Sequence, residues 1–338
     1  MARRFTRVAR RTAAALGLGT LGLAALLLGH HRARLDAEAR ATQALLAPAT
    51  DEQGAEAPPP AAPDRPAAPE APAAPAAPAR PEPLWDIANL DHSRVDYWIG
   101  RFQTDKRDDF ETYLKRMGRY AQLISAALDK RGMPQDLVYL AMIESGFNPR
   151  AYSRARASGL WQFIGATAAR YGLDINRAVD ERNDPVKATE AALDYLGDLH
   201  QRFGSWYLAA AAYNMGENGL TRVLRDVLGR AQGTDEDYYA VWSRLPRETR
   251  DYVPLMVAAA RIAKDPAQYG FTDIEPLRPL AVKEVVARPA TPLKTLARKA
   301  GTTVKELRSL NPQLKLNRTR NDQPMVVRVP APEAARAD

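Results

Sequence analysis

Residues 133–167 read MPQDLVYLAMIESGFNPRAYSRARASGLWQFIGAT, and the first part of that stretch decides the fold. Pro134 suits the first position of a helix, where a missing N–H costs nothing, and Asp136 in the first turn favours the positive helix end. Leu137, Leu140 and Ala141 follow with the i, i+3, i+4 spacing of an inward-facing stripe. The next position on that stripe asks for another aliphatic side chain, and it holds Glu144. Gly146 is a helix stop. Desolvation and the negative end of the helix dipole both disfavour the charged form of such a Glu. Together they push its pKa toward the ~6–7 that suits a general acid near neutral pH. The ordinary alternative is a Glu that frays into solvent at a helix end.

The residues that follow weigh against the ordinary alternative. Glu-Ser-Gly-Phe-Asn-Pro (Glu144 to Pro149), Ala151 with Ser153, and Ser-Gly-Leu-Trp-Gln-Phe (Ser158 to Phe163) resemble the signature of the soluble-lytic-transglycosylase family. These are lysozyme-like enzymes that cut the glycan strands of peptidoglycan. Arg131, Gly132 and Pro134 before the helix and Tyr171-Gly172-Leu173 after it resemble the membrane-bound D-type branch. Asp180-Glu181-Arg182-Asn183-Asp184-Pro185, Ala211-Ala212-Tyr213-Asn214 and Glu248-Thr249-Arg250-Asp251-Tyr252-Val253 continue the pattern in order. The resemblance covers about residues 84–275 and fades toward 330.

The resemblance implies a goose-type, lysozyme-like all-α fold and a single-carboxylate mechanism. Glu144 would protonate the glycosidic oxygen after N-acetylmuramic acid and then, as carboxylate, take the proton of the sugar's 6-hydroxyl. That hydroxyl closes a 1,6-anhydro ring. Carried over by motif position, Ser153 and Gln162 line the cleft around that sugar, and Ile164 is an apolar wall. Tyr213 and Asn214 lie opposite Glu144, while Glu248 and Tyr252 close another part of the cleft. Each has an everyday alternative: Ser153 as a loop hydroxyl, Tyr213 as a core aromatic, Glu248 as a first-turn acid. Trp161 reads as core, and Gly165 stands where many family members have Pro, which is expected to loosen the loop after Gln162. A hydrolytic muramidase on the same fold and a non-catalytic wall-binding scaffold remain as the other functional readings.

The pattern supports a helical body without the family. Val95, Trp98, Ile99 and Phe102, then Tyr113, Met117, Tyr120, Leu123 and Ile124, keep helical periodicity. The Ala-rich segments 186–200 and 206–214 read as buried helices, and strand signals are sparse across 84–275. Asp174, Asp180, Asp184, Glu217 and Glu248 are further acids, but none repeats the setting of Glu144 on an apolar stripe.

Composition narrows the partners. The chain of 338 residues carries a net charge of +8 and a pI near 9.6, which points to an anionic partner. No nucleic-acid-binding motif stands out, and peptidoglycan carries carboxylates. There is no cysteine, which excludes disulfides, thiolate metal sites and a lipoprotein attachment site. His30, His31, His92 and His200 lack metal-ligand spacing, so neither metal nor cofactor is expected. The expected oligomeric state is a monomer.

At the N-terminus, Arg3, Arg4, Arg7, Arg10 and Arg11 precede an apolar run from Ala13 to Leu28. This is a targeting segment spanning 1–34, slightly short against the ~17–25 residues of a spanning helix. His30, His31, Arg32 and Arg34 replace a small-residue cleavage site, favouring an uncleaved inner-membrane anchor over a cleaved signal. The body is then periplasmic in a Gram-negative bacterium. Residues 35–83 are a linker whose prolines at 60, 63, 66, 69, 72, 75, 78 and 81 match the three-residue period of polyproline II. At ~3.1 Å per residue, its Pro-rich part reaches roughly 80 Å.

After the catalytic domain (84–275), residues 276–332 form a second module, with a tail at 333–338. Strands are expected at Val282–Val286 and Val326–Val329, with helices at Pro292–Ala300 and Thr303–Leu310. Leu293, Leu296-Ala297, Val304, Leu307 and Leu310-Asn311-Pro312 resemble a LysM module, a βααβ glycan-binding unit. The usual Gly-Asp pair is replaced by Pro289 to Leu293, which leaves active glycan binding and a structural cap as alternatives.

The anchor is tested by fractionation. Full-length protein should sediment with inner membranes, and a chain starting at Leu84 should be soluble and active. A mature N-terminus within 30–45 by mass spectrometry would instead mean a cleaved signal.

Overall fold

Capping chemistry sets most of the helix boundaries. The computed structural model describes residues 84–331. Helix α1 (Ser93–Gln103) starts where the His92 ring accepts the Arg94 amide, and α2 (Arg107–Arg131) ends on left-handed Gly132. A 3-10 turn, Gln135–Leu137, leads into α3 (Val138–Ser145). After a long loop come α4 (Gly165–Arg170) and α5 (Pro185–Phe203). Asp184 caps α5 by accepting the amides of Val186 and Lys187, with Pro185 at the first position. Then follow α6 (Trp206–Met215), capped by Ser205, α7 (Glu217–Leu228), α8 (Asp235–Val241) and α9 (Arg247–Lys264). The helical expectation for 84–275 holds: among the described residues there, β geometry is confined to isolated bridges.

Helix α9 is the central post. Its residues 251–260 are all buried, and it packs against α1, α3 and α6. Pro254 sits inside it and removes the N–H that the Arg250 carbonyl would accept. That carbonyl is satisfied from α8 and the turn after it: the Trp242 indole donates at 2.8 Å, and the Tyr238 hydroxyl shares its proton between this carbonyl at 3.0 Å and that of Thr249 at 2.8 Å. The helix therefore continues through its proline.

Helix α3 lies between α2 and α9, and all eight of its residues are buried. A helix buried on every side has no solvent face to keep. The helix does not begin at Pro134 as its sequence suggests. Pro134 is extended, and Asp136 belongs to the 3-10 turn. Asp136 does not serve the helix dipole from solvent: its carboxylate is 2% exposed and lies 2.5 Å from Lys264 Nζ at the end of α9. Its amide donates to Asp86 at 3.0 Å. These long-range contacts override the local preference. At the other end Gly146 is obligatory, with φ +57 and a Tyr113 ring that would stand 2.1 Å from an added Cβ.

The C-terminal part is β1 (Val282–Ala287), α10 (Leu293–Lys299), α11 (Val304–Leu310) and β2 (Met325–Pro330). The strands pair antiparallel, from Val282 opposite Pro330 to Ala287 opposite Met325. Its small core, which includes Leu293, Ala297, Leu307, Val327 and Val329, also takes in Val179 from the helical body. The targeting segment and linker expected at 1–34 and 35–83 lie outside the described residues. Among those described, no helix is long and apolar enough to cross a membrane.

Replacing Tyr238 by Phe should lower stability by about 1 kcal/mol, the usual net worth of one buried hydrogen bond. Urea unfolding is the check, with an unchanged slope; an unchanged midpoint would mean that the Tyr238 hydroxyl adds nothing at either the Thr249 or the Arg250 carbonyl.

Candidate active site

Glu144 occupies the last turn of α3 and is 4% exposed. From α9, the Tyr252 hydroxyl donates to its Oε1 at 2.5 Å. Burial pushes the Glu144 carboxyl up to about 8 from its ordinary 4.5; the Tyr252 hydroxyl pulls it down and the charge of Glu248 pushes it up. Near neutral pH the group is therefore a protonated acid. With Tyr252 donating to Oε1, Oε2 carries the proton. The same hydroxyl supports the carboxylate once the proton has gone, so one residue is able to act as acid and then as base. Tyr252 itself is held protonated by burial and by the neighbouring Glu144 charge.

The loop from 146 to 164 wraps the end of α3. Ser145 Oγ donates to the Leu160 carbonyl at 2.8 Å and accepts the Asn148 amide at 3.2 Å, so the helix end and the returning loop are tied together. Ser153 Oγ accepts the Ala157 amide at 3.0 Å, and the Ser153 amide donates to the Ala157 carbonyl at 2.9 Å, closing a tight turn. Gln162 has φ +48, an uncommon conformation for a non-glycine residue, and is 2% exposed. Its side-chain amide donates to the carbonyls of Gly159 at 2.9 Å and Ala151 at 3.2 Å. Among the described residues no hydrogen bond joins Ser153 or Gln162 to Glu144. Ile164 is half-buried at the N-cap of α4, and Gly165 is that helix's first residue, a position that accepts proline.

The remaining candidates sit at the facing helix ends. Tyr213 closes α6; its hydroxyl donates to the Trp161 carbonyl at 2.8 Å, and the Glu144 charge helps raise its pKa. Asn214 bridges to α9, donating to Glu248 at 3.4 Å and accepting from Thr249 at 2.7 Å. Glu248 lies in the first turn of α9, its pKa raised by burial. Trp161 is fully buried with its indole donating to Thr189. Tyr252 stands on the carboxyl itself, a more intimate place than the cleft edge its motif suggested. Among the described residues, no three His, Cys, Asp or Glu side chains converge to hold a metal.

Sequence reading passed over Arg182, although it quoted the motif that contains it. The Arg182 side chain is buried and paired with Asp180 at 2.7 Å. Its Nη1 donates to the carbonyls of Arg156 at 2.7 Å and Phe163 at 3.0 Å. Gly159 packs so closely here that an added Cβ would stand 1.8 Å from the Arg182 carbonyl. A buried Arg demands partners, but its burial is visible only in the fold.

Residues 122–234 match the family model of the transglycosylase SLT domain. Residues 281–338 match that of the LysM-like domain of lytic transglycosylase MltD. Over 217 residues the chain is 36% identical to the membrane-bound lytic murein transglycosylase D of Escherichia coli K12, covering 64% of this chain and 47% of that protein. The same identity and coverage hold for the protein of that name from Escherichia coli O6:H1. The chain thus spans about half the length of the curated relatives it matches. Among solved structures, the 70 kDa soluble lytic transglycosylase of Escherichia coli aligns with a TM-score of 0.39 at 25% identity, over 50% of this chain and 28% of that one.

The raised Glu144 pKa has a sign that stability reveals. The native state holds a proton that the unfolded state releases above 4.5, so the protein loses stability as pH rises from 4.5 through about 8. Glu144→Gln has no such loss. The variant should therefore gain on wild type across that window, in thermal unfolding followed by pH, and the gap should be constant above it. Parallel curves would mean an ordinary carboxylate.

Proposed function

We propose that this chain, which carries an SLT domain followed by an MltD-type LysM-like domain, is a peptidoglycan lytic transglycosylase. Its body has the goose-type, lysozyme-like fold and cleaves the glycan after N-acetylmuramic acid. The observation that carries the proposal is the buried Glu144 with the Tyr252 hydroxyl on one of its oxygens. Cleavage begins with transfer of the Glu144 proton to the glycosidic oxygen, which leaves as the hydroxyl of the next N-acetylglucosamine. The C1–O bond breaks as the muramic acid's own acetamido carbonyl stabilises the cation at C1. Glu144, now a carboxylate supported by Tyr252, removes the proton from the 6-hydroxyl, whose oxygen bonds to C1. The products are a 1,6-anhydro end and a free hydroxyl, and no water is consumed.

The other site residues act on this geometry. Ser153 and Gln162 shape the loop on one side of the sugar, with Ile164 at its edge. Tyr213, Asn214 and Glu248 bound the other side, and the charge of Glu248 helps keep Glu144 protonated. An intramolecular hydroxyl outcompetes water because its effective molarity is on the order of 10⁵ M or more when well oriented. The relatives' name, membrane-bound, and the apolar run at Ala13 to Leu28 support a periplasmic enzyme held at the inner membrane. Peptidoglycan strands are its partner, and it acts without cofactor.

Purified sacculi are the test. Wild type should release muropeptides with anhydro ends, one water lighter than hydrolysed ends. Glu144→Gln should keep its fold and lose at least the ~10²–10⁴-fold that acid–base catalysis contributes. Reducing ends would make the chain a hydrolytic muramidase, and no release would make it a binding scaffold. Tyr252→Phe should lower turnover and move the basic limb of the pH profile upward, because it removes the hydrogen bond that favours the charged form.

A further inference from the structure

The contact between the C-terminal module and the helical body is built, not incidental. Val179 belongs to the helical body yet is fully buried in the core of the module. It forms an antiparallel bridge with Leu314, and the flanking amides are exchanged: Asp180 donates to the Gln313 carbonyl at 2.9 Å, and Lys315 to the Ala178 carbonyl at 2.9 Å. On one side of this bridge Arg328 of β2 grips Asp184 through both terminal guanidinium nitrogens, at 2.9 and 3.1 Å, with both side chains buried. On the other side Arg320 pairs with Asp174 at 2.5 Å. The connecting segment is fastened as well, the Leu277 amide donating to the Lys115 carbonyl of α2 at 2.8 Å. A glycan-binding unit on a free tether needs none of these.

The gripped segment leads directly to the active-site loop. Asp180, whose amide is held by the module, fixes the Arg182 guanidinium through Nε at 2.9 Å and Nη2 at 2.7 Å. Arg182 in turn holds the carbonyls of Arg156 and Phe163, which bracket the strained Gln162. Ser158 Oγ donates to Asn183 at 2.7 Å in the same contact. We propose that the C-terminal module is a brace for the active site: by gripping residues 174–184 it fixes Arg182, a positioning residue that holds the loop carrying Gln162 in its reactive shape.

The brace differs measurably from a tether. A tethered binding unit raises local substrate concentration and acts on KM for the polymer. A brace acts on kcat, even for a substrate too short to reach the module. The inference rests on the lytic-transglycosylase reading for its assay. Full-length Arg328→Met and, independently, Val179→Ser are assayed on a soluble glycan of two disaccharide repeats, with amide hydrogen exchange read at Asp180, Ser158 and Gly159. The result expected is faster exchange at all three amides and a kcat lowered roughly 10- to 100-fold, the order of cost of an ångström-scale misplacement, with KM within about twofold. Arg328→Lys, which keeps the charge but not the two-nitrogen grip, should recover part of the turnover. Should Arg328→Met not fold, Val179→Ser gives the same readout. Faster exchange at Asp180 with kcat unchanged overturns the brace, as does a raised KM on sacculi with kcat preserved. A wild type that releases no anhydro product on sacculi or on the short glycan refutes the lytic reading instead.

Discussion

The hydrogen bond from Tyr252 to Glu144 ties α3 to α9, and much of the molecule keeps that one contact dry and in place. A carboxyl buried among apolar side chains costs far less neutral than charged, so the site answers burial by holding a proton. The arrangement needs α9 to run unbroken past α3 despite Pro254, which Tyr238 and Trp242 allow by taking over the freed carbonyl. It needs α3 to end abruptly at Gly146, so that the carboxyl meets a loop rather than another helical turn. A fully buried α3, apolar from Leu140 to Ile143, supplies the low-dielectric wall.

The loop and the facing helix ends then divide the work. Ser145, Ser153 and Gln162 hydrogen-bond to backbone carbonyls and amides of the loop, giving it one shape around the acid. Tyr213, Asn214 and Glu248 pin α6 to the loop and to the first turn of α9. The strain at Gln162 is affordable because its neighbours are held from two directions, by its own amide and by Arg182.

Glu144 was legible because a carboxylate on an apolar stripe breaks a pattern that spacing alone establishes, and Gly146 because a helix end has few solutions. The strands expected at 282–286 and 326–329 lie within those observed at 282–287 and 325–330, and the two helices between them followed from short helical patterns. The start of α3 was not legible: Asp86, Asp136 and Lys264 decide it, and they meet only in the fold. Tyr252 was named from its motif, but its partner lies 108 residues away, and no local pattern encodes that contact. Val179 drew no notice in the sequence because its core belongs to a module more than a hundred positions downstream. Arg182 was hidden for the same reason, its ligands being carbonyls that carry no side-chain signature.

A protonated Glu144 at neutral pH is the claim on which the chemistry stands. Carbon NMR of protein labelled at the glutamate side-chain carboxyl, with the resonance assigned by its absence in Glu144→Gln, follows that one group through pH. The account predicts a titration near 8, raised by burial. A carboxyl that titrates near its ordinary 4.5 would be a carboxylate throughout the working range, and the acid would have to be sought elsewhere.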